Sequence, residues 1–295
     1  MNELGFMSYV YMGFSAEAMA EEAGKHGLRY VQLDIKQKLQ VMDDEPFSTA
    51  RADKICRIFA SRGIQIVGLS GYTNLLNPNL AKREEKLVQL EKMIDLCSAY
   101  GTQYIATETG SLHPSNAWRD YEGNRSPEAW EQLLAITQRL QRRAAENNAV
   151  LLLEGFALNV LAEPKQAQRL LQELGTEGLG MIMDPFNYLT VQDLSGLEAQ
   201  RRAMTEIFDC IAGQSPIAHA KDSLYSDEGF TTPRVGAGQA DWNVYAEFLM
   251  KRLPDVPLIL EHAKPEEVEE CLQLIRQAFA AAGEAKPNAR DAHEA

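Results

Sequence analysis

Val150-Leu151-Leu152-Leu153-Glu154-Gly155-Phe156 is an aliphatic run that ends in a carboxylate and then a glycine. A continuous apolar run of this length, without alternation, reads as a strand buried on both faces, as in a parallel sheet covered by helices. Glutamate is rarely fully buried unless it is paired or bound to a metal. Glu154, at the C-terminal end of such a strand, is therefore a functional candidate. The design recurs three times downstream. Leu179-Gly-Met-Ile-Met-Asp184-Pro ends in Asp184, Ile217-Ala-His219-Ala-Lys-Asp222 carries His219, and Pro257-Leu-Ile-Leu-Glu261-His-Ala263 ends in Glu261. Four buried strands each deliver a metal-compatible side chain near the same end.

Upstream of this stretch the pattern is the same. Strands are expected over 6–12, 30–35, 64–69 and 104–110. The helix over 16–26 is opened by Ser15 and stopped by Gly27; others are expected over 46–61, 80–100 and 126–147, the last with Pro127 at its first turn. Downstream, helices are expected over 164–174, 191–212 and 241–253, and a last one starts at Pro265. Eight strands alternating with eight helices predict an α/β fold, a single-domain (β/α)8 TIM barrel over residues 1–282. A small, polar, frayed tail is expected over 283–295. The competing doubly wound sheet would usually announce a glycine-rich phosphate loop, and no GxGxxG occurs. In a barrel the active site lies at the C-terminal strand ends, where the four candidates fall.

The bulk numbers narrow the function. The 295 residues are 45% hydrophobic and carry a net charge of -13. So acidic a chain is poorly suited to nucleic acid, whose phosphates demand cations. No run approaches the roughly 20 apolar residues of a membrane span, and the start lacks the pattern of a signal peptide. The four cysteines (Cys56, Cys97, Cys210, Cys271) have no CxxC spacing and read as reduced thiols, so a cytoplasmic location is expected. Three carboxylates and one imidazole suit Mn²⁺, Mg²⁺, Co²⁺ or Zn²⁺ without selecting among them. There is no HExxH and no cysteine cluster.

Five segments carry a family resemblance: Leu153-Glu154, Met183-Asp184-Pro-Phe-Asn187, His219-Ala-Lys221-Asp222, Gly236-Ala-Gly238-Gln-Ala-Asp241-Trp242 and Leu260-Glu261-His262. In these the chain resembles the xylose isomerase-like barrels, in particular their sugar phosphate isomerase/epimerase branch. The resemblance implies that Glu154, Asp184, His219 and Glu261 bind one divalent metal ion, and that Glu154 and Glu261 double as catalytic acid/base groups. Relatives are often dimers or tetramers, so it also allows a homo-oligomer. The chain departs from the ketose 3-epimerases at Asn187, where they carry histidine, and at His219-Ala-Lys-Asp, where they carry His-x-Gly-Glu. Its five histidines are too few for the multi-zinc site of the apurinic endonuclease relatives.

The expected activity is isomerisation or epimerisation of a sugar or polyol-type ketone, by glutamate-mediated proton transfer through a metal-stabilised enediolate. Departure of a hydroxyl from the next carbon would instead give a dehydratase or lyase. A non-catalytic sugar-binding barrel is the third reading. Lys221 shares the strand parity of His219 and should face the pocket, orienting a substrate hydroxyl or forming a structural ion pair. Asn187 is a candidate for substrate contact or for capping the next helix, and Glu108 and Asp34 are candidates for the pocket or for ion pairs. His113 and Trp118 lie on the long loop after the fourth strand, a natural lid. Arg234 either holds an anionic group of the substrate or lies at the surface. Asp241 should cap the following helix, with Gly236 and Gly238 shaping the turn before it. His262, opposite in parity to Glu261, should pack outward.

Overall fold

The computed structural model describes residues 1–42 and 45–284. Eight parallel strands close into a barrel in the order β1-β10-β7-β6-β5-β4-β3-β2. They are β1 Leu4–Met7, β2 Tyr30–Leu33, β3 Gln65–Ser70, β4 Tyr104–Glu108, β5 Val150–Glu154, β6 Leu179–Met183, β7 Ile217–Ala220 and β10 Leu258–Leu260. The chain closes on itself where Leu4 pairs with Leu258 and Phe6 with Leu260. Eight helices cover the strands: α1 Ala16–Lys25, α2 Thr49–Ala60, α3 Leu80–Leu96, α4 Pro127–Glu146, α5 Pro164–Leu174, α6 Leu197–Ile211, α7 Trp242–Arg252 and α8 Val268–Glu284. The expected (β/α)8 barrel is borne out.

Local chemistry sets the boundaries. Ser15, Ser48, Asn79 and Ser126 each accept a hydrogen bond from the backbone of the first turn they cap, and Pro127 sits at the first helical position of α4. Asp241 does the same for α7, accepting from Asn243 N at 2.9 Å. The aliphatic stretches Leu151–Leu153 and Leu179–Met183 are wholly buried between barrel interior and helices, as a strand covered on both faces must be.

Several elements differ from the expected ones. The first strand starts at Leu4 and stops at Met7, because Ser8–Tyr11 coil into a 3-10 turn whose Ser8 Oγ accepts from Asp34 N at 2.9 Å. Helix α6 starts at Leu197 instead of 191. Asp193 Oδ2 accepts from both Thr190 N and Thr190 Oγ1, at 2.9 and 2.7 Å, which stabilises a local turn in place of helix. Helix α8 continues to Glu284, past the expected end at 282; the remaining tail lies outside the described residues. Between β7 and α7 the chain also holds a short antiparallel hairpin, β8 Leu224–Ser226 with β9 Gly229–Thr231.

Candidate metal centre

Glu154 closes β5, Asp184 follows β6, His219 lies in β7 and Glu261 follows β10. In-register pairing of β4 with β5 sets Glu108 beside Glu154, and pairing of β7 with β10 sets His219 beside Ile259. Four consecutive barrel strands thus present their ends to one point. One ligand atom from each of Glu154, Asp184, His219 and Glu261 lies within 4.8 Å of the others, and all four residues are buried. His219 Nδ1 is 3.1 Å from Glu261 Oε1, 3.3 Å from Glu154 Oε2 and 3.5 Å from Asp184 Oδ2. Donors sharing one ion at bond lengths of about 2.0–2.2 Å can stand no more than about 4.4 Å apart, so small side-chain shifts close this set around an ion.

The polar accounting points the same way. Both carboxylate oxygens of Asp184 and the Nδ1 atom of His219 are sealed from solvent and have no hydrogen-bond partner. A buried polar atom left unsatisfied costs about 1–3 kcal/mol, more when charged. An oxygen-rich set with one imidazole, buried and convergent, fits a divalent cation. Lys221 Nζ lies 2.6 Å from Asp184 Oδ2 without hydrogen-bonding direction, and donates to Glu261 Oε2 at 3.0 Å and Glu154 Oε1 at 3.2 Å.

These charges shift one another. Burial pulls the Lys221 ammonium down, but the carboxylates of Asp184, Glu154 and Glu261 outweigh it and hold the group well above its usual range. Burial likewise lowers His219, and Glu261 and Glu154 outweigh that to push it up to about 10. Metal ligation by Nδ1 therefore displaces a proton. Burial alone would raise the glutamates; Lys221 and then His219 hold Glu154 well below the carboxylate range, and His219 and then Lys221 hold Glu261 below it. Asp184 stays above its usual value because burial dominates there.

A second layer fixes the first. Gln32, from β2, places Oε1 3.0 Å from His219 Nε2. An amide oxygen only accepts, so Nε2 carries a proton and Nδ1 is turned toward the carboxylates. Tyr72 donates to Glu154 Oε2, and Asn187 Nδ2 donates to Glu154 Oε1 at 2.6 Å. The backbone of β7 is pinned from α7: Tyr245 OH donates to His219 O at 3.1 Å and Trp242 Nε1 to Lys221 O at 3.1 Å. Gly155 lies so close to the Tyr188 hydroxyl and Leu161 that no side chain fits there, which lets the chain turn immediately after Glu154.

A cavity of about 550 Å³ opens above these residues. Its floor is Glu154, Glu261, Lys221 and Asn187; Asp34, Tyr72 and Glu108 line one side, and Trp118, Phe156 and Phe230 the other. Asp184 and His219 lie beneath the floor, fully buried. Burial, and then the nearby Glu154 carboxylate, push Glu108 up to about 7.

The structure therefore brings Lys221, Asn187, Glu108 and Trp118 to the cavity, and Asp34 with them, but leaves out two expected substrate contacts. His113 faces a separate depression beside Asn74 and Asn116. Its Nδ1 accepts from Asn116 N at 2.9 Å and Ser115 N at 3.2 Å, so it shapes the loop. Arg234 is turned to α8 and its approach, pairing with Glu267 and Glu270 at 3.1 Å each. The expectation for His262 is also corrected. Its left-handed backbone, φ 57°, breaks the parity of the strand, so the side chain lines the cavity and contacts Thr232 O. Sequence reasoning missed Gln32, Tyr72, Phe156 and Phe230. Only Gln32 left a signal: a glutamine inside the apolar run Tyr30-Val-Gln-Leu, which needs a partner if buried.

No curated protein matches the chain in sequence. Solved structures match it over nearly its whole length. The IolI protein with a binding zinc atom has a TM-score of 0.64 at 17% identity, covering 95% of this chain and 97% of that one. The 3-keto-D-glucoside 4-epimerase of E. coli gives 0.68 at 14%, covering 94% and 100%. The probable 3-DHS dehydratase of Bacillus anthracis, involved in petrobactin synthesis, gives 0.68 at 14%, covering 94% and 98%. At these identities the likeness establishes the fold. The family described as Xylose isomerase-like TIM barrel matches residues 20–278, and the chain belongs to it.

Proposed function

We propose that the protein is a divalent-metal-dependent isomerase or epimerase that moves a proton on a carbon beside the ketone of a sugar or polyol. One observation carries the reading. Of the four convergent residues, Asp184 and His219 are sealed beneath the floor, whereas Glu154 and Glu261 line the cavity from strands separated by β6 and β7. Two residues can only hold, and two can also touch substrate. The ion these four would bind, whether manganese, cobalt, magnesium or zinc, would supply Lewis-acid polarisation of the substrate oxygens.

The chain's own groups do the rest. Glu154, kept ionised and oriented by Tyr72 and Asn187, accepts the proton from the carbon next to the carbonyl as general base. The C–H electron pair moves into the carbonyl, and charge grows on its oxygen. Lys221, held permanently charged beside both glutamates, is a preorganised donor for that charge. Return of the proton by Glu154 to the former carbonyl carbon, with the proton of the adjacent hydroxyl passing to the former carbonyl oxygen, isomerises the substrate. Delivery of a solvent proton to the opposite face by way of Glu261 epimerises it, with Glu154 releasing the abstracted proton to solvent. Similar barrels are named as an epimerase, which supports this reading, and as a probable dehydratase, which supports the alternative of water loss.

The test is solvent exchange. Ketohexoses incubated in D₂O with the Mn²⁺-supplied protein should gain deuterium in the carbon skeleton without change of heavy-atom mass. Glu154→Gln should lower the rate by about 10²–10⁴. Loss of water from the product would turn the reading to a dehydratase. Sugar binding with no deuterium incorporated would leave a binding barrel.

A further inference from the structure

The cavity is too large and too unevenly lined for one free sugar. A hexose fills roughly 200 Å³ at the packing density of organic solids, so at about 550 Å³ more than half the space lies beyond a ring seated on the glutamates. What borders that space is aromatic. Trp118, on the loop after β4, lines the cavity yet is 58% exposed. Its ring is held edge-to-face on Phe156, centroids 5.5 Å apart. Phe156 in turn stacks on Phe230 at 5.5 Å, and Phe230 on Tyr225 at 4.7 Å. The three stacked rings cover one another's faces; the Trp118 indole is the broad surface left uncovered. Ligand pockets are lined predominantly by apolar and aromatic side chains, and an exposed indole offers a ligand ring a broad apolar surface to lie on.

Charge sets the second limit. The lining carries four carboxylates, Asp34, Glu108, Glu154 and Glu261, against the ammonium groups of Lys221 and Lys36. Lys221 is committed to three carboxylates, and Lys36 is exposed at the rim. No arginine of the described residues lines the cavity, and Arg234 is paired elsewhere. Apart from the ion the floor would hold and the exposed Lys36, a phosphate on the substrate would find like charges and no bidentate partner.

We propose that the substrate is an uncharged two-ring compound, a keto sugar seated on Glu154 and Glu261 with a second ring lying on Trp118. This rests on the proton-transfer reading above and narrows it. Binding of D-fructose, of the glucosyl-fructoses linked through O3, O5 or O6, and of fructose 6-phosphate is compared on the Mn²⁺-supplied protein by calorimetry and tryptophan fluorescence. Trp130 and Trp242 are buried, so quenching reports chiefly on Trp118. At least one ketodisaccharide should bind about tenfold more tightly than fructose, and fructose 6-phosphate no more tightly than fructose. Trp118→Ala should erase the ratio of disaccharide to fructose affinity, and Trp118→Phe should keep most of it; thermal melting checks that both variants fold. Phenyl β-glucoside and cellobiose, each set against methyl β-glucoside, show whether an aryl group or a sugar is the better second ring. No gain for any two-ring compound, or tightest binding of the phosphate ester, overturns the proposal. Deuterium exchange, measured alongside, separates the two claims. A ring gain without exchange on any ketose removes the proton-transfer reading and keeps the subsite; exchange on fructose without a ring gain removes the subsite alone.

Discussion

The floor and the wall of the cavity are built by different means. Strand ends make the floor: Glu154, Asp184, His219 and Glu261 stand on a hydrogen-bonded cylinder whose register fixes them relative to one another. Loops and a hairpin of two three-residue strands make the wall: Trp118, Phe156 and Phe230 are held by contact between rings. A barrel can therefore change its wall without moving its floor. The division assigns the chemistry to the floor and the choice of substrate to the wall.

The sharpest way to break that division is to remove the buried cation of the floor. Lys221→Met leaves three buried carboxylates without it, and breaking a buried ion pair costs about 3–5 kcal/mol. The metal-free variant should melt well below wild type, and Mn²⁺ should restore more stability to the variant than to the wild type. An unchanged melting temperature would mean that the floor does not depend on Lys221.

Next comes Gln32, which lies on the far side of the barrel from the aromatic wall. Gln32→Leu should weaken metal binding by about 10–100-fold in calorimetry, the usual cost of losing a partner that orients a ligand histidine. Affinity equal to wild type would show that His219 is oriented by other contacts.

Glu108 tests the border between the two regions. Its carboxyl is raised from 4.5 to about 7 in the folded protein. The unfolded chain thus loses this proton first, and stability falls as pH rises through that window, with the full penalty present above it. Glu108→Gln lacks the penalty. It should be more stable than wild type by about 1–2 kcal/mol at pH 8, with the two proteins converging at pH 4. Denaturant melts at both pH values check the sign, and equal stability at pH 8 would contradict it.

The smallest effect is expected at Arg234, outside both regions. Its pairs with Glu267 and Glu270 are partly exposed, so Arg234→Ala should change stability by no more than about 1 kcal/mol and leave substrate KM within about twofold. A large rise in KM would return Arg234 to the substrate.

The same contrast explains what could be read from the sequence. Barrel and floor were legible because buried parallel strands must be aliphatic runs, which makes a terminal Glu154 or Glu261 conspicuous. Lys221 followed from strand parity. Parity failed at His262, where one residue with positive φ turns the chain, and at the first strand, where Ser8 Oγ accepts from Asp34 N at the end of the neighbouring strand β2. The wall left little trace. Strands β8 and β9 are too short for periodicity, and what holds them is the contact of Tyr225 with Phe230 across the hairpin. Tyr72 is aimed at Glu154 by tertiary structure alone. His113 and Arg234 looked functional because both are polar residues in long loops, and each spends its polarity locally.

The central claim is that four strand ends share one metal ion, and elemental analysis of the purified protein tests it most directly. Wild type should hold about one divalent ion per chain, and an Asp184→Ala/His219→Ala double variant should lose it while retaining its circular dichroism. A wild type without metal, even after addition of Mn²⁺ or Co²⁺, or a double variant that keeps its ion, would contradict the account.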